Sequence, residues 1–271
     1  MDIVFAHPTT KYDSYSDYRR LVEISGFETC TQDNIDINRK ATYISAPYNG
    51  DIENALKVRP KNQRKCKIVH WFLERPSANG GPKFVEWAKN LLETQLDELW
   101  FTGPDMYKLV KHLGGTKLVP AGSDARLGSQ ENRPKRYDVC HMSYVYGRRD
   151  RIIHNLNCRI GPNCWGTERH NVLLESAFMI NTHQDNDNYY EPLRFALCAA
   201  YKLPMVSEAC GDTFPYVNGV DFLSAPYNQL NQLFQKVLRE GAGVHRPMAE
   251  RMFQKACVEF KFEDNVKKAV V

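Results

Sequence analysis

Short apolar stretches alternate with segments of helical periodicity along most of the chain, and this alternation limits the possible folds more than any other feature of the sequence. Predicted strands lie at residues 2–6, 41–45, 66–72, 98–102, 116–120, 136–145, 178–181, 204–208 and 220–224. Helical periodicity separates most of them, most clearly at residues 82–92. Strands that are joined by helices pair in parallel, so we expect an α/β fold.

One segment interrupts this alternation. Between residues 121 and 136, large apolar residues give way to Gly, Ser, Asn, Pro and charged residues, which is typical of a linker. The chain of 271 residues has room for two compact domains of roughly 110–140 residues each. We therefore predict two Rossmann-like domains, at residues 1–122 and 136–250, whose sheets face each other across a cleft.

The composition argues against a membrane protein, a secreted protein and a metalloprotein. No apolar stretch approaches the roughly 18–20 residues that cross a bilayer, and residues 1–6 lack the basic start of a signal peptide. The eight cysteines are scattered singly, without zinc-ligand spacing, so we expect reduced thiols, a cytoplasmic location and no bound metal. The net charge of +4 is a mild excess that is compatible with a small anionic ligand.

Two common nucleotide-binding motifs are absent. The first predicted strand runs into Ala6-His7-Pro8-Thr9-Thr10, where a dinucleotide-binding domain would have Gly-x-Gly-x-x-Gly. No P-loop ending in Gly-Lys-Ser or Gly-Lys-Thr occurs either. These absences disfavour a dinucleotide-dependent oxidoreductase and a P-loop nucleotidase.

The second half contains an ordered series of more specific segments. An apolar strand ends in Asn181-Thr182-His183, a helix of small residues follows Glu191-Pro192, and the strand Leu203-Pro204-Met205-Val206 precedes a turn and strand at residues 215–226. In order and spacing these segments resemble the donor-binding domain of group 1 glycosyltransferases, which have the GT-B fold. Residues 137–151 are similar to the spore-maturation-type members, in which a strand ending in Gly precedes basic residues.

The resemblance implies a fold, an activity and a set of partners. The fold is of GT-B type, with residues 251–271 forming a C-terminal helix that crosses back to the first domain. The activity is the metal-independent transfer of a hexose from a nucleotide sugar, UDP- or GDP-linked, by a retaining mechanism. The nucleotide sugar is a co-substrate and no cofactor is expected. The acceptor stays open between a glycan, a protein, a small metabolite and DNA.

The sequence departs from the family pattern at one position. Aligned through Ala199-Ala200, the family's Glu that binds the donor ribose is replaced here by Ala196. Either Glu191 takes the ribose, or the nucleotide is held differently.

The candidate donor-binding residues are polar groups at predicted strand ends and helix starts. A donor diphosphate gains negative charge as the sugar leaves, and arginine forks at a helix N-terminus stabilise such an anion. These candidates are Arg148, Arg149, Arg151, Asn181, His183, Glu191 and Arg194. A solvated basic helix end and a surface ion pair at i, i+3 would look the same in the sequence.

The candidate catalytic residues lie in the first half. His7 ends the first predicted strand and would be the base of an inverting enzyme, whereas a retaining enzyme would use it only for positioning. Glu74, after the strand at residues 66–72, is the other candidate.

Three alternative functions remain open. The basic segment at residues 59–65 suits a DNA acceptor, as in a phage-type DNA-base glycosyltransferase. The Ala at position 196 suits a catalytically inactive nucleotide- or sugar-binding protein. An epimerase that acts on a nucleotide sugar is the third.

Overall fold

A computed structural model describes residues 2–7, 16–46, 61–73, 82–128, 133–185 and 188–271 of the chain. Within these residues a first sheet contains six parallel strands in the order β2-β1-β3-β4-β5-β6. The strands are β1 Asp2–His7, β2 Glu28–Thr31, β3 Ala41–Ser45, β4 Lys67–Phe72, β5 Glu98–Phe101 and β6 Thr116–Leu118. The helices that pack with this sheet are α1 Ser16–Ile24, α2 Pro82–Thr94 and α3 Pro104–Val110.

A second parallel sheet follows, in the order β10-β9-β8-β7. Its strands are β7 Tyr137–Cys140, β8 Ser176–Asn181, β9 Met205–Glu208 and β10 Leu223–Ala225. The helices of this half are α4 Arg148–His154, α5 Gly166–Leu174, α6 Pro192–Ala200 and α7 Tyr227–Glu240. The chain ends with α8 Ala242–Gln254, a π-helical turn at Lys255–Glu259 and α9 Phe262–Val270. The predicted α/β fold with two Rossmann-like domains is confirmed.

Two elements of this architecture were not predicted, because neither carries the apolar pattern of its class. The edge strand β2 has the sequence Glu-Thr-Cys-Thr, and none of its residues is buried. Helix α5 buries Arg169 and His170 at positions where an amphipathic helix usually has apolar residues. The predicted strand at residues 136–145 is also too long, since β7 ends at Cys140 and a loop follows.

The segment predicted as a linker is packed into the protein where the structure describes it, at residues 121–128. Ser123 is fully buried, and its carbonyl oxygen accepts a hydrogen bond from the Phe262 N–H at 2.9 Å. Gly122 has φ +61°, and a Cβ at this position would lie 1.8 Å from the Phe260 carbonyl oxygen. Only glycine combines this backbone conformation with so close an approach.

The C-terminal helix α9 packs against the first sheet. The ring of Phe262 stacks on Trp71 with centroids 5.6 Å apart and lies 5.8 Å from the ring of Phe5. Asn265 Nδ2 donates a hydrogen bond to the Pro120 carbonyl at 3.0 Å. The end of the chain therefore joins the second half of the molecule to the core of the first.

Ion pairs also connect the second domain to the first domain. Asp17 of α1 pairs with Arg169 of α5 at 2.7 Å, and Lys108 of α3 pairs with Asp212 after β9 at 2.8 Å. None of the described helices is long and apolar enough to cross a membrane.

We expect Phe262→Ala to lower the free energy of unfolding by about 3–5 kcal/mol, because it removes a fully buried aromatic side chain and leaves a cavity between α9 and the first sheet. Urea denaturation measures the change. The control is Val258→Ala in the neighbouring π-helical turn, where the side chain is 57% exposed. Equal, small effects of the two substitutions would contradict the anchoring role of α9.

Candidate functional site

Each sheet contains a topological switch point, which is a strand whose neighbours on its two sides both follow it in the chain. A switch point opens a crevice at the carboxyl ends of the strands. In the first sheet this strand is β1, which pairs with β2 and β3. In the second sheet it is β7, which pairs with β8 on one side and forms a parallel bridge from Val139 to Ile160 on the other. The residues that follow β7, β8 and β9 therefore define the candidate site.

Five of the seven predicted donor-binding residues meet in one cluster at this edge. They are Arg149, Asn181, His183, Glu191 and Arg194, which we call the edge cluster. Arg149 comes from α4, Asn181 ends β8, His183 lies in the loop after β8, and the other two lie at the start of α6. Four separate segments thus supply its members.

Glu191 is the centre of the edge cluster. Its Oε1 lies 2.7 Å from Nη1 of Arg194 and accepts a hydrogen bond from Nη2 of Arg149 at 3.3 Å. Burial acts to raise the pKa of the Glu191 carboxyl, but Arg194, His183 and Arg149 together outweigh it and lower the pKa. Glu191 is therefore ionised at neutral pH.

The two arginines are held by backbone and side-chain acceptors around Glu191. Arg149 Nε donates to the Thr182 carbonyl at 3.0 Å, and Arg194 Nη1 donates to Asn181 Oδ1 at 2.8 Å. Among the described residues, no acceptor is found for Nε and Nη2 of Arg194 or for Nη1 of Arg149. These N–H groups are available to a bound anion.

His183 is buried between acceptors on both sides of its ring. Nδ1 lies 3.6 Å from Glu191 Oε2, and Nε2 lies 3.2 Å from the Ala209 carbonyl oxygen. Burial disfavours the imidazolium, but the Cys210 sulfur and the Glu191 carboxylate more than offset this cost and raise the pKa of His183 to about 10. A doubly protonated ring, which donates from both nitrogens, matches these neighbours.

Arg148 and Arg151 have different surroundings although they belong to the same basic segment. Arg148 forms a fork on Glu208, at 2.7 Å and 3.1 Å, and its guanidinium lies 4.1 Å from the centroid of the Tyr227 ring. Arg151 is on the exposed side of α4, and no side-chain partner is found for it among the described residues. The backbone N–H of His183 donates to the same Glu208 carboxylate at 3.0 Å, so Arg148 supports the loop that carries His183. Arg151 lies outside the edge cluster.

Glu208 is a residue of the site that sequence reasoning missed. It ends β9 just as Asn181 ends β8, and the sequence signal was the same: a polar residue at the carboxyl end of an apolar strand. With Glu208 included, the three guanidinium groups and the imidazolium face two carboxylates, which leaves two excess positive charges.

The predicted catalytic residues belong to the first sheet. His7 ends β1, and its Nε2 is buried without a hydrogen-bond partner among the described residues. Burial, with a smaller contribution from Arg19, lowers the pKa of His7 to about 4, so the ring is neutral at pH 7. Glu74 lies outside the described residues.

The described part of the basic segment, residues 61–65, is partly engaged in packing the first domain. The Arg64 side chain is 1% exposed and pairs with Asp97 at 2.6 Å, and Lys61 Nζ donates to the Leu92 carbonyl at 3.4 Å. No group of three or more His, Cys, Asp or Glu side chains with metal-binding geometry occurs in the described ranges.

Comparison with solved structures shows which fold this is. The chain is similar to HepE (Alr3699) of Anabaena, solved in complex with UDP-glucose, with a TM-score of 0.64 at 12% identity over 100% of this chain and 99% of that one. A glycosyltransferase of Rickettsia africae gives a TM-score of 0.56 at 10% identity, over 99% and 97% of the two chains. TarM of S. aureus gives 0.61 at 8% identity, and the match covers 87% of this chain but only 55% of TarM. No family model matches the sequence, and no curated protein is significantly similar to it.

These structural similarities identify the fold of the chain. The chain has the GT-B fold, with two Rossmann-like domains that face each other across a cleft, as the resemblance implied. Membership in the spore-maturation-type family stays a prediction.

The charge of His183 makes stability depend on pH in a direction that can be calculated. Its pKa in the folded protein, about 10, is above the value of ~6.5 for an unfolded chain. The stabilisation is therefore complete below pH ~6.5 and is lost as the pH rises toward 10. We expect wild type to lose more stability than His183→Gln between these pH values, measured by urea unfolding at several pH values. Parallel curves for the two proteins would refute a charged His183.

Proposed function

We propose that this protein transfers a sugar from a nucleotide-sugar donor to an acceptor, with the donor diphosphate bound at the edge cluster. The main support is the position of Arg149, Arg194 and His183, whose positive charges meet at the carboxyl edge beside a switch point. Available N–H groups on both arginines suit the oxygens of a diphosphate. HepE, which shares the fold, was solved with UDP-glucose.

The proposed chemistry needs positive charge at the leaving group. In the transfer, the bond between the anomeric carbon and the diphosphate oxygen breaks, and a bond to an acceptor oxygen forms. The acceptor proton is released, and the nucleoside diphosphate gains negative charge. The edge cluster has two excess positive charges, which stabilise this leaving group in a partly buried site without a metal ion.

The donor is proposed to be a UDP- or GDP-linked hexose, with UDP favoured by the UDP and UDP-glucose complexes of HepE. The retaining stereochemistry follows the resemblance to group 1 glycosyltransferases. A retaining mechanism, which does not need the base of an inverting enzyme, also agrees with the low basicity of His7. A base works best when its pKa lies near the working pH, and a ring with a pKa of about 4 is a weak base at neutral pH. We therefore assign His7 to positioning, through its unpartnered Nε2.

Two residues bear on how the ribose is held. Ala196, at the position of the family's Glu, lies on the buried face of α6 and is 2% exposed. Glu191 Oε1 is already shared by two arginines, whereas Oε2 is buried and faces His183 Nδ1 at 3.6 Å. We propose that Glu191 mainly orients the cations of the edge cluster and that the ribose is held by other groups.

The alternative of an inactive nucleotide-binding protein is favoured by one observation, the buried Ala196 in place of Glu. Detectable hydrolysis of a nucleotide sugar would exclude it. The DNA-base variant loses support, because Arg64 of the basic segment is committed to a buried ion pair.

Substitution of Arg194 tests the donor site. A nucleotide at ~100 times its dissociation constant stabilises the folded protein by about 2.7 kcal/mol. Removing charged hydrogen bonds worth ~1.5–3 kcal/mol weakens binding roughly 10–100-fold. We expect Arg194→Gln to reduce the stabilisation to roughly 0.4–1.4 kcal/mol at the same nucleotide concentration. Thermal unfolding with UDP, GDP, ADP, CMP and their sugars measures the effect.

The matched control is Arg151→Gln, which removes the same charge from an exposed site outside the edge cluster. It should bind the nucleotide like wild type. If no nucleotide stabilises wild type, or if both variants lose the effect equally, the proposed donor site is wrong.

A further inference from the structure

The loop after β9 places a cysteine against the edge cluster. Cys210 Sγ lies 3.8 Å from His183 Nε2 and 3.6 Å from Ser207 Oγ, and it donates a hydrogen bond to the Glu208 carbonyl at 3.3 Å. The residue is only partly buried. Its sulfur is therefore next to the buried ring whose other nitrogen faces Glu191.

Cys210, His183 and Glu191 form a continuous series of thiol, imidazole and carboxylate. A protonated imidazole stabilises a neighbouring thiolate, and a carboxylate on its far side holds the ring in place and favours its charge. The thiolate is the reactive form of cysteine.

The other seven thiols have surroundings that oppose ionisation. Burial raises the pKa of each of them, to about 12 for Cys140 and Cys257 and to about 11 for Cys158. The remaining four, Cys30, Cys66, Cys164 and Cys198, are shifted in the same direction by the same cause. Partial exposure alone does not distinguish Cys210, because Cys30, Cys158 and Cys164 share it.

We propose that Cys210 is the reactive thiol of this protein and a site of reversible modification by small disulfides. The thiolate of Cys210 attacks one sulfur of the disulfide, a new S–S bond forms to Cys210, and the other sulfur leaves as a thiolate with the bonding electron pair. The Cys210 proton is released to solvent. A free thiol reverses the exchange.

The modification has a consequence for the donor site, which rests on the proposed function. The loop of Cys210 is confined by contacts on its far side: Gly211 N–H donates to the Asn188 carbonyl at 2.7 Å, and Asp212 N–H donates to Asp105 of the first domain at 3.1 Å. A group attached to Cys210 is therefore held beside the Nε2 side of His183, whose buried ring separates it from Glu191 and the arginines. We expect the attached group to displace this ring and thereby to obstruct the diphosphate.

The experiment follows the reaction of native protein with an aromatic disulfide that releases thionitrobenzoate, read by absorbance, with the modified residue assigned by mass spectrometry. One thiol should react about ten times faster than the rest at pH 7. Cys210→Ser should abolish this fast phase, and His183→Gln should slow it. Cys164→Ser, which removes another partly exposed thiol, should leave it unchanged.

A fast phase that persists in Cys210→Ser overturns the proposal, and so does wild type without any fast phase. The donor site is tested separately by UDP-induced thermal stabilisation. Modified wild type should lose this stabilisation and regain it with dithiothreitol, whereas treatment of Cys210→Ser should change nothing. Equal stabilisation before and after modification overturns the obstruction. A reduced protein that UDP does not stabilise overturns the proposed function, while the thiol kinetics still decide the modification site.

Discussion

The carboxylate of Glu191 holds together the positive charges on which the proposed site depends. Arg149, Arg194 and His183 all come within 3.6 Å of it, from three different segments of the chain. Partly buried cations of like sign would repel one another and lose hydration, so without this carboxylate they could not share one edge of the sheet. The positive charge that exceeds the charge of Glu191 can bind an anionic ligand.

The supporting contacts around Glu191 are equally specific. Glu208 accepts hydrogen bonds from Arg148 and from the His183 N–H, so one carboxylate fixes both the start of α4 and the loop after β8. Tyr227 provides the ring beneath Arg148 and donates its hydroxyl hydrogen bond to the Arg148 carbonyl at 2.8 Å. These contacts leave Arg148 little freedom, while Arg194 keeps N–H groups that no described residue uses. Support and ligand binding are thus divided between neighbouring arginines.

The relation between the two domains depends on the end of the chain. Phe262 of α9 lies among aromatic residues of the first domain, and the buried segment around Ser123 forms hydrogen bonds to the residues just before and at the start of α9. The ion pairs Asp17–Arg169 and Lys108–Asp212 connect the domains beside the carboxyl edge of the second sheet. This arrangement brings His7, at the end of β1, to the cleft side of the first sheet.

The alternation of strands and helices in the sequence was enough to predict an α/β protein of two Rossmann-like halves, because burial on both faces requires apolar strands whatever their neighbours are. Polar residues at strand ends and helix starts likewise placed Asn181, His183, Glu191 and Arg194 among the candidates, and the structure brings these four together. The sequence did not reveal β2, an edge strand with no buried residue, or α5, in which Arg169 and His170 are buried and Arg169 pairs with Asp17. It also could not separate Arg148, Arg149 and Arg151. Their partners, Glu208, Glu191 and solvent, come from distant segments or from outside the chain, so only the tertiary structure decided which arginine supports the site and which belongs to it.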